Sequence, residues 1–200
     1  MQSRQPAASL NLRWWVSFLV RSRAAQVLCL GLALLLAAPV GRAQDAQPSE
    51  YQIKAAFVFN FAKFVQWPQP ALSAPTSPIV IGILGDNPFR DDLERTIKNK
   101  LVDEHPLVIK EFRAAADATN CHLLFISATE KKRLPEILET LKGTSVLTVS
   151  ETDGFIEAGG MINFVQQGTK LRFQINKEAA NKAALKVSSK LLSLAWTPGG

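Results

Sequence analysis

A mainly parallel α/β sheet, flanked by helices on both faces and finished by an antiparallel C-terminal hairpin and a closing helix, is the fold class this sequence predicts. Three observations carry it. Short apolar runs, "IVIGIL" (Ile79–Leu84), "CHLLFISA" (residues 121–128) and "SVLTVSE" (residues 145–151), alternate with helix-like segments, the order that builds parallel sheets. "GGMINFVQQGTKLRFQIN" (residues 159–176) instead holds two alternating runs around "QQGT", which signals a hairpin and so an antiparallel edge. Finally, about 157 residues follow the N-terminal targeting pattern, enough for a core without staples.

That targeting pattern is the first element. Residues 1–43 hold five Arg (Arg4, Arg13, Arg21, Arg23, Arg42) and no acid. The apolar run Ala24–Val40 is 17 residues long and leads to "GRA". Basic, apolar, then small-residue order is that of a secretory signal. Two readings stand: cleavage after Ala43, or retention as an N-terminal anchor at the short edge of a membrane span. Without those residues the chain has 18 basic and 17 acidic side chains, a net of +1 rather than +6. The basic balance therefore belongs to the signal, and no electrostatic footprint for nucleic acid remains.

Residues 44–50 form a polar leader before a domain expected over 51–197. Tyr51–Trp67 reads as a helix stopped by Pro68, and Pro68–Pro78 as a Pro-rich loop. After the Ile79–Leu84 strand, "GDNPFRDDLERTIKNK" offers Asn87 as a cap, Pro88 at a first helical position, and Asp91 and Asp92 in early turns. "LVIKEFR" (Leu107–Arg113) alternates as a strand. Ser127 and Glu130 have capping-box spacing, opening a helix to about Lys142 with Gly143 as its stop. After the hairpin, "KEAANKAALKVSSKLLSLAW" (residues 177–196) reads as one closing helix capped by Asn176.

On the first helix, at about 100° per residue, Ile53, Phe57, Val58, Phe61, Phe64 and Val65 share one broad apolar arc. Asn60 falls inside that arc, where a buried amide would need partners. Phe59 falls among Gln52, Lys63 and Gln66 on the polar side, where an exposed aromatic suits a partner. Phe59 and Lys63, with the loop at Asp153 and Phe155, are the candidate partner surface.

In such sheets ligands bind beyond the carboxyl ends of the strands, here Gly85-Asp86-Asn87, Ser127-Ala128-Thr129 and Ser150-Glu151-Thr152-Asp153. Asp86, Asn87, Ser127, Asn163 and Asn60 are the candidate pocket residues. "GILGD" lacks the ending of a phosphate loop. Cys121 and His122 are chain neighbours on a strand and point to opposite faces, so they form no dyad. One cysteine after the signal and two separated histidines supply no metal cluster. The checklist for catalysis finds no acid–base set, so neither an enzyme nor a cofactor is expected.

With these segments in view, the chain resembles the YfiR-like family of exported bacterial proteins. The resemblance rests on "KAAFVFNFAKFVQWP", "IGILGDNPF", "CHLLFIS", "VLTVSETDGF", "GGMINFV", "LRFQIN" and "LKVSSKLLSLA", in that order. It implies a periplasmic protein that represses a membrane-anchored diguanylate cyclase through the cyclase's periplasmic part, so acting on cyclic-di-GMP and biofilm. It also implies an outer-membrane lipoprotein that sequesters the repressor, and allows a histidine kinase in place of the cyclase and pairing with a second copy of the chain. The intrachain disulfides associated with the best-known member cannot form from a single cysteine. A small-solute sensor acting with a membrane histidine kinase is the competing reading.

Overall fold

A computed structural model describes residues 47–69, 71–72, 74 and 76–197; the expected signal segment and residues 44–46 of the polar leader lie outside them. The first helix, α1 (Glu50–Phe64), starts where Ser49 caps it. The Ser49 hydroxyl accepts the Gln52 N–H at 3.2 Å, and the Gln52 side chain accepts the Ser49 N–H at 2.9 Å, a closed capping box. The chain leaves the helix through β1 (Val65–Gln66), three residues short of the expected stop at Pro68.

The remaining strands are β2 (Ile79–Leu84), β3 (Leu101–Val102), β4 (His105–Phe112), β5 (Leu123–Ile126), β6 (Leu147–Ser150), β7 (Ile162–Gln167), β8 (Lys170–Ile175) and β9 (Lys186–Val187). Seven of them form one sheet in the order β3-β4-β2-β5-β6-β7-β8. β4, β2, β5, β6 and β7 run parallel, while β3 and β8 are antiparallel edges. The chain starts in the middle at β2, steps outward to β4, then crosses back to β5. The strand order therefore reverses between β2 and β5, and crevices form at such a point.

Each face carries its own core. On one, α1, α2 (Asp92–Ile97) and the C-terminal helices cover Ile81, Ile83, Phe125, Val149, Phe164 and Phe173. On the other, α3 (Leu134–Thr140) and two 3-10 turns, Ala115–Ala118 and Ala128–Arg133, cover Leu84, Leu124, Ile126 and Phe155. Helices thus flank the sheet on both sides, as the alternation of elements predicts.

Three elements depart from the sequence reading. The segment after Ser127 opens as a 3-10 turn, and only the stretch from Leu134, with Pro135 in its first turn, becomes α-helical. The Asn87 side chain closes a local turn on the Phe89 N–H at 3.0 Å, and α2 begins only at Asp92. The closing helix is two helices, α4 (Lys177–Lys182) and α5 (Ser189–Leu194). Asn176 caps the first, accepting the Ala179 N–H at 3.0 Å. Ala184, at φ 58°, breaks the run, β9 then pairs antiparallel with β1, and Ser188 caps α5. Pairing two short strands satisfies backbone groups that a continuous helix would have kept for itself.

The buried face of α1 is also turned by about a quarter of a turn from the expected arc. Lys54, Ala55, Val58, Phe61 and Ala62 are buried, Phe57 and Phe64 are half-buried, and Ile53 is exposed. The small Ala55 and Ala62 let the helix sit close to the sheet. Phe61 meets Phe164 and Phe173 at centroid distances of 5.6 and 5.1 Å, and Phe57 meets Phe173 at 5.4 Å. Burying one such ring stabilises by about 1.5–3 kcal/mol. With the stripe so placed, Phe59 sits on its flank and Asn60 on the opposite side, between Ala56 and Ile53, both half-buried. Neither is the misfit that the sequence arc makes of it.

Candidate functional site at the strand ends

The three residues expected at the β2/β5 reversal do converge, but structural bonds occupy them. Gly85 (φ 85°) turns the chain out of β2; a Cβ there would lie 2.8 Å from Thr129 Oγ1 and 2.9 Å from Glu130 Cγ. The chain's own side chains therefore fill this part of the crevice. The backbone N–H of the exposed Asp86 donates to Thr129 Oγ1 at 3.3 Å. Buried Ser127 caps the 3-10 turn by accepting the Thr129 backbone N–H at 3.4 Å, and it also accepts from the Thr129 hydroxyl at 3.2 Å. Asn87, beyond its turn bond, donates to Glu111 Oε1 at 2.7 Å.

Asn163 lies on β7 beside Ser150 of β6. It is buried, and its Oδ1 has no hydrogen-bond partner. Phe155 corrects an expectation outright: it is fully buried and belongs to the second core, so it offers a partner no surface. Its ring rests on Gly160, where a Cβ would come within 2.2 Å of the ring carbon Cε1. The "GG" before β7 is thus needed for that close approach. Phe59 packs half-buried against the main core, with Lys100 Nζ 4.5 Å from its ring centroid. Lys63 is exposed near the far end of α1, about 18 Å along the helix from Tyr51. Asp153 is exposed and lies at the Tyr51 end. Of the four expected partner contacts, burial therefore removes Phe155, and Lys63 and Asp153 lie toward opposite ends of α1.

What the fold assembles instead is a cleft of about 570 Å³ beyond the carboxyl ends of β5 and β6, lined by Tyr51, Lys54, Glu151, Asp153, Gln167 and Trp196 among others. The Lys54 side chain is 5% exposed, and its ammonium bonds to the carboxylates of Glu50, one turn back, and of Glu151, just past β6. Tyr51 donates its phenol hydrogen to the second Glu151 oxygen at 3.1 Å, and its ring centroid lies 4.7 Å from the ammonium. Trp196 is held on the far wall by its backbone N–H, which donates to the Phe173 carbonyl at 2.7 Å. Burial by itself would lower the Lys54 pKa, but the bonds to Glu151 and Glu50 outweigh it and hold the value above 10.5. Burial, then the Glu151 charge, pushes Tyr51 above 10.0. At neutral pH one is a fixed cation and the other a fixed donor, which suits holding a ligand or surface rather than abstracting a proton. Glu50, Glu151 and Asp153 outnumber Lys54, so the cleft carries excess negative charge.

Lys54 is not among the residues the sequence singles out. The four-residue step from Glu50 to Lys54 was a legible ion-pair spacing. The bond to Glu151, 97 residues away, had no sequence signal. Elsewhere, burial drives the Cys121 thiol to about 12, so it remains a protonated core group. A larger groove, about 1170 Å³, runs beside β4 and α2 between Arg90, Glu94, Lys98 and Ile109, along the sheet edge rather than at the strand ends.

No curated protein matches the chain in sequence. In fold it is similar to a solved structure from Vibrio cholerae O1 biovar El Tor, described as a conserved domain protein, with a TM-score of 0.50 and 12% identity. The match covers 74% of this chain and 59% of that protein's length, and at that identity it speaks for the fold alone. A family pattern described as YfiR/HmsC-like matches residues 51–196, from Tyr51 in the cleft to Trp196 on its far wall. The chain belongs to the YfiR/HmsC-like family.

Proposed function

We propose that this protein is an exported, periplasmic regulator that binds a membrane-anchored diguanylate cyclase and represses it, lowering cyclic-di-GMP and biofilm formation. Membership of the YfiR/HmsC-like family is the observation that carries this reading. The N-terminal order of basic, apolar and small residues supports export. Among the described residues no helix is long and apolar enough to cross a membrane. A binding protein shifts a sensor only by favouring one of its states, and a charged cleft at the strand ends can supply such selectivity. We assign the contact to the rim of that cleft, at Asp153 and Glu50, with Lys63 and Phe59 as a second patch along α1. An outer-membrane lipoprotein that sequesters the protein fits the same family reading.

Deleting the gene should raise cyclic-di-GMP, and periplasmic cross-linking should recover a membrane cyclase. Asp153→Lys, a change at an exposed position, should leave the fold intact and lose repression. Unchanged cyclic-di-GMP in the deletion strain, with no membrane signalling protein recovered, would falsify this reading. The cleft volume favours a second one, since about 300–1,000 Å³ is the range of small-molecule sites. In that reading the protein senses a small solute and reports to a membrane histidine kinase. A thermal-shift screen of metabolites that finds no stabilising solute removes it.

A further inference from the structure

We propose that His122 is an acid-released latch, holding the connection between β1 and β2 against the amino-terminal end of the sheet. The chain has two histidines, and both bond to this connection. His105, at the start of β4, has Nδ1 2.7 Å from the Ser77 carbonyl oxygen. His122, just before β5, has Nε2 2.9 Å from the Ala71 carbonyl oxygen and Nδ1 2.9 Å from the Val80 backbone nitrogen. A carbonyl only accepts and a backbone N–H only donates. His105 therefore carries hydrogen on Nδ1. His122 is neutral, with hydrogen on Nε2 and a lone pair on Nδ1.

The two ties answer acid differently. Protonating His105 adds hydrogen at Nε2 and leaves the Ser77 bond intact. Protonating His122 sets a ring N–H against the Val80 N–H, so the ring must turn away and surrender Ala71 as well. Among the described residues only the Ala71 carbonyl favours the cation, and burial outweighs it. The His122 ring is buried and meets Trp67 edge-on at 5.8 Å. The Trp67 indole N–H donates to the His122 carbonyl at 2.9 Å, and the Leu147 N–H donates to the same oxygen at 2.8 Å. Val80, Ala71, Trp67 and Leu147 carry no charge. His105, on β4, is the titratable group that acts on His122, and its charge opposes a second one. Cys121 belongs to the other core and stays a neutral thiol. Burial accordingly holds the His122 pKa below the ordinary 6.5. Acid therefore frees the connection at Ala71 and bares Val80 and Trp67, while Ser77 remains tied.

Nuclear magnetic resonance of the purified protein from pH 8 to pH 4.5 tests this. His122 should titrate below the ordinary histidine value. Amide exchange at Val80, whose N–H the ring accepts, should, once corrected for the intrinsic rate, rise up to about tenfold per pH unit below the open-state pKa. His122→Asn keeps an acceptor for Val80 and cannot titrate, so its exchange should be flat in pH, whereas His105→Asn should keep the acid response. Exchange in the unaltered protein that ignores the His122 titration, or an acid response surviving in His122→Asn, overturns the latch. If His122→Asn does not fold, coincidence of the His122 titration and the Val80 opening in the unaltered protein decides it.

Discussion

The two ends of the parallel sheet each bury a titratable side chain, and they satisfy it by opposite means. At the carboxyl end Lys54 stays charged between Glu50 and Glu151. At the amino end His122 is held neutral between a backbone donor and a backbone acceptor. A buried ion requires counter-charges, whereas a buried neutral ring needs hydrogen bonds alone. The first end is therefore built from side chains brought together across the fold. The second is built from main chain that the sheet and its connection already present. One is suited to meeting charged or polar partners, the other to pinning the chain.

The largest test of this contrast is Glu151→Ala. Breaking a buried pair costs several kcal/mol, and because Glu50 keeps one bond to Lys54 the expected loss is about 2–3 kcal/mol in urea unfolding. In a Lys54→Met background the same change should cost much less, since no buried cation remains to be orphaned. Equal costs in both backgrounds would show that Glu151 acts by packing rather than charge. At the other end, His122→Leu leaves the Val80 N–H and the Ala71 carbonyl without their ring partner. An expected loss of about 2 kcal/mol follows, with no dependence on the Lys54 background.

Next in size is the pH response, which should have opposite signs at the two ends. The folded pKa of His122 lies below 6.5, so the unfolded chain takes up the proton first. That contribution is present above the unfolded value and is lost as pH falls through the folded one, at up to about 1.4 kcal/mol per pH unit. The folded pKa of Lys54 lies above 10.5, so its contribution is present below the unfolded value and is lost as pH rises through the folded one. Thermal unfolding across pH should therefore lose part of its acid limb in His122→Asn and part of its alkaline limb in Lys54→Met. The smallest effect is Tyr51→Phe, expected at about 0.5–1 kcal/mol for the lost bond to Glu151. A larger loss would mean that the phenol orders the carboxylate for Lys54.

The fold was largely legible because its signals are local. "IVIGIL" and "LLFI" are apolar runs in a protein with helix caps between them, and "QQGT" lies between two alternating strands. The hairpin forms with Phe164 opposite Phe173 and Val165 opposite Arg172. Asn176 caps its helix, and the residues around Gly85 and Ser127 do meet at the reversal of strand order. Local signals were also missed: "SEYQ" is a capping box, and "KVSS" holds a second helix start. The site was less legible. Of the residues expected near a ligand or partner, Asp153 lines the cleft, Phe155 is core, and Asn87 and Ser127 are committed to turns and caps.

The sequence by itself determined the order of the main strands and of the helices between them, the hairpin and the two-faced α/β architecture. Each follows from spacing within a few residues, set by backbone geometry and short-range hydrogen bonds. Only the tertiary structure decided which side of α1 is buried, that Lys54 goes inside, that the closing helix breaks to pair β9 with β1, and that Thr129 and Glu130 fill the space beside Gly85. Those outcomes depend on which distant groups can pay the cost of burying a charge or a backbone end. The Glu151 carboxylate that accepts Lys54 and the β1 edge that accepts β9 become available only once the sheet has formed.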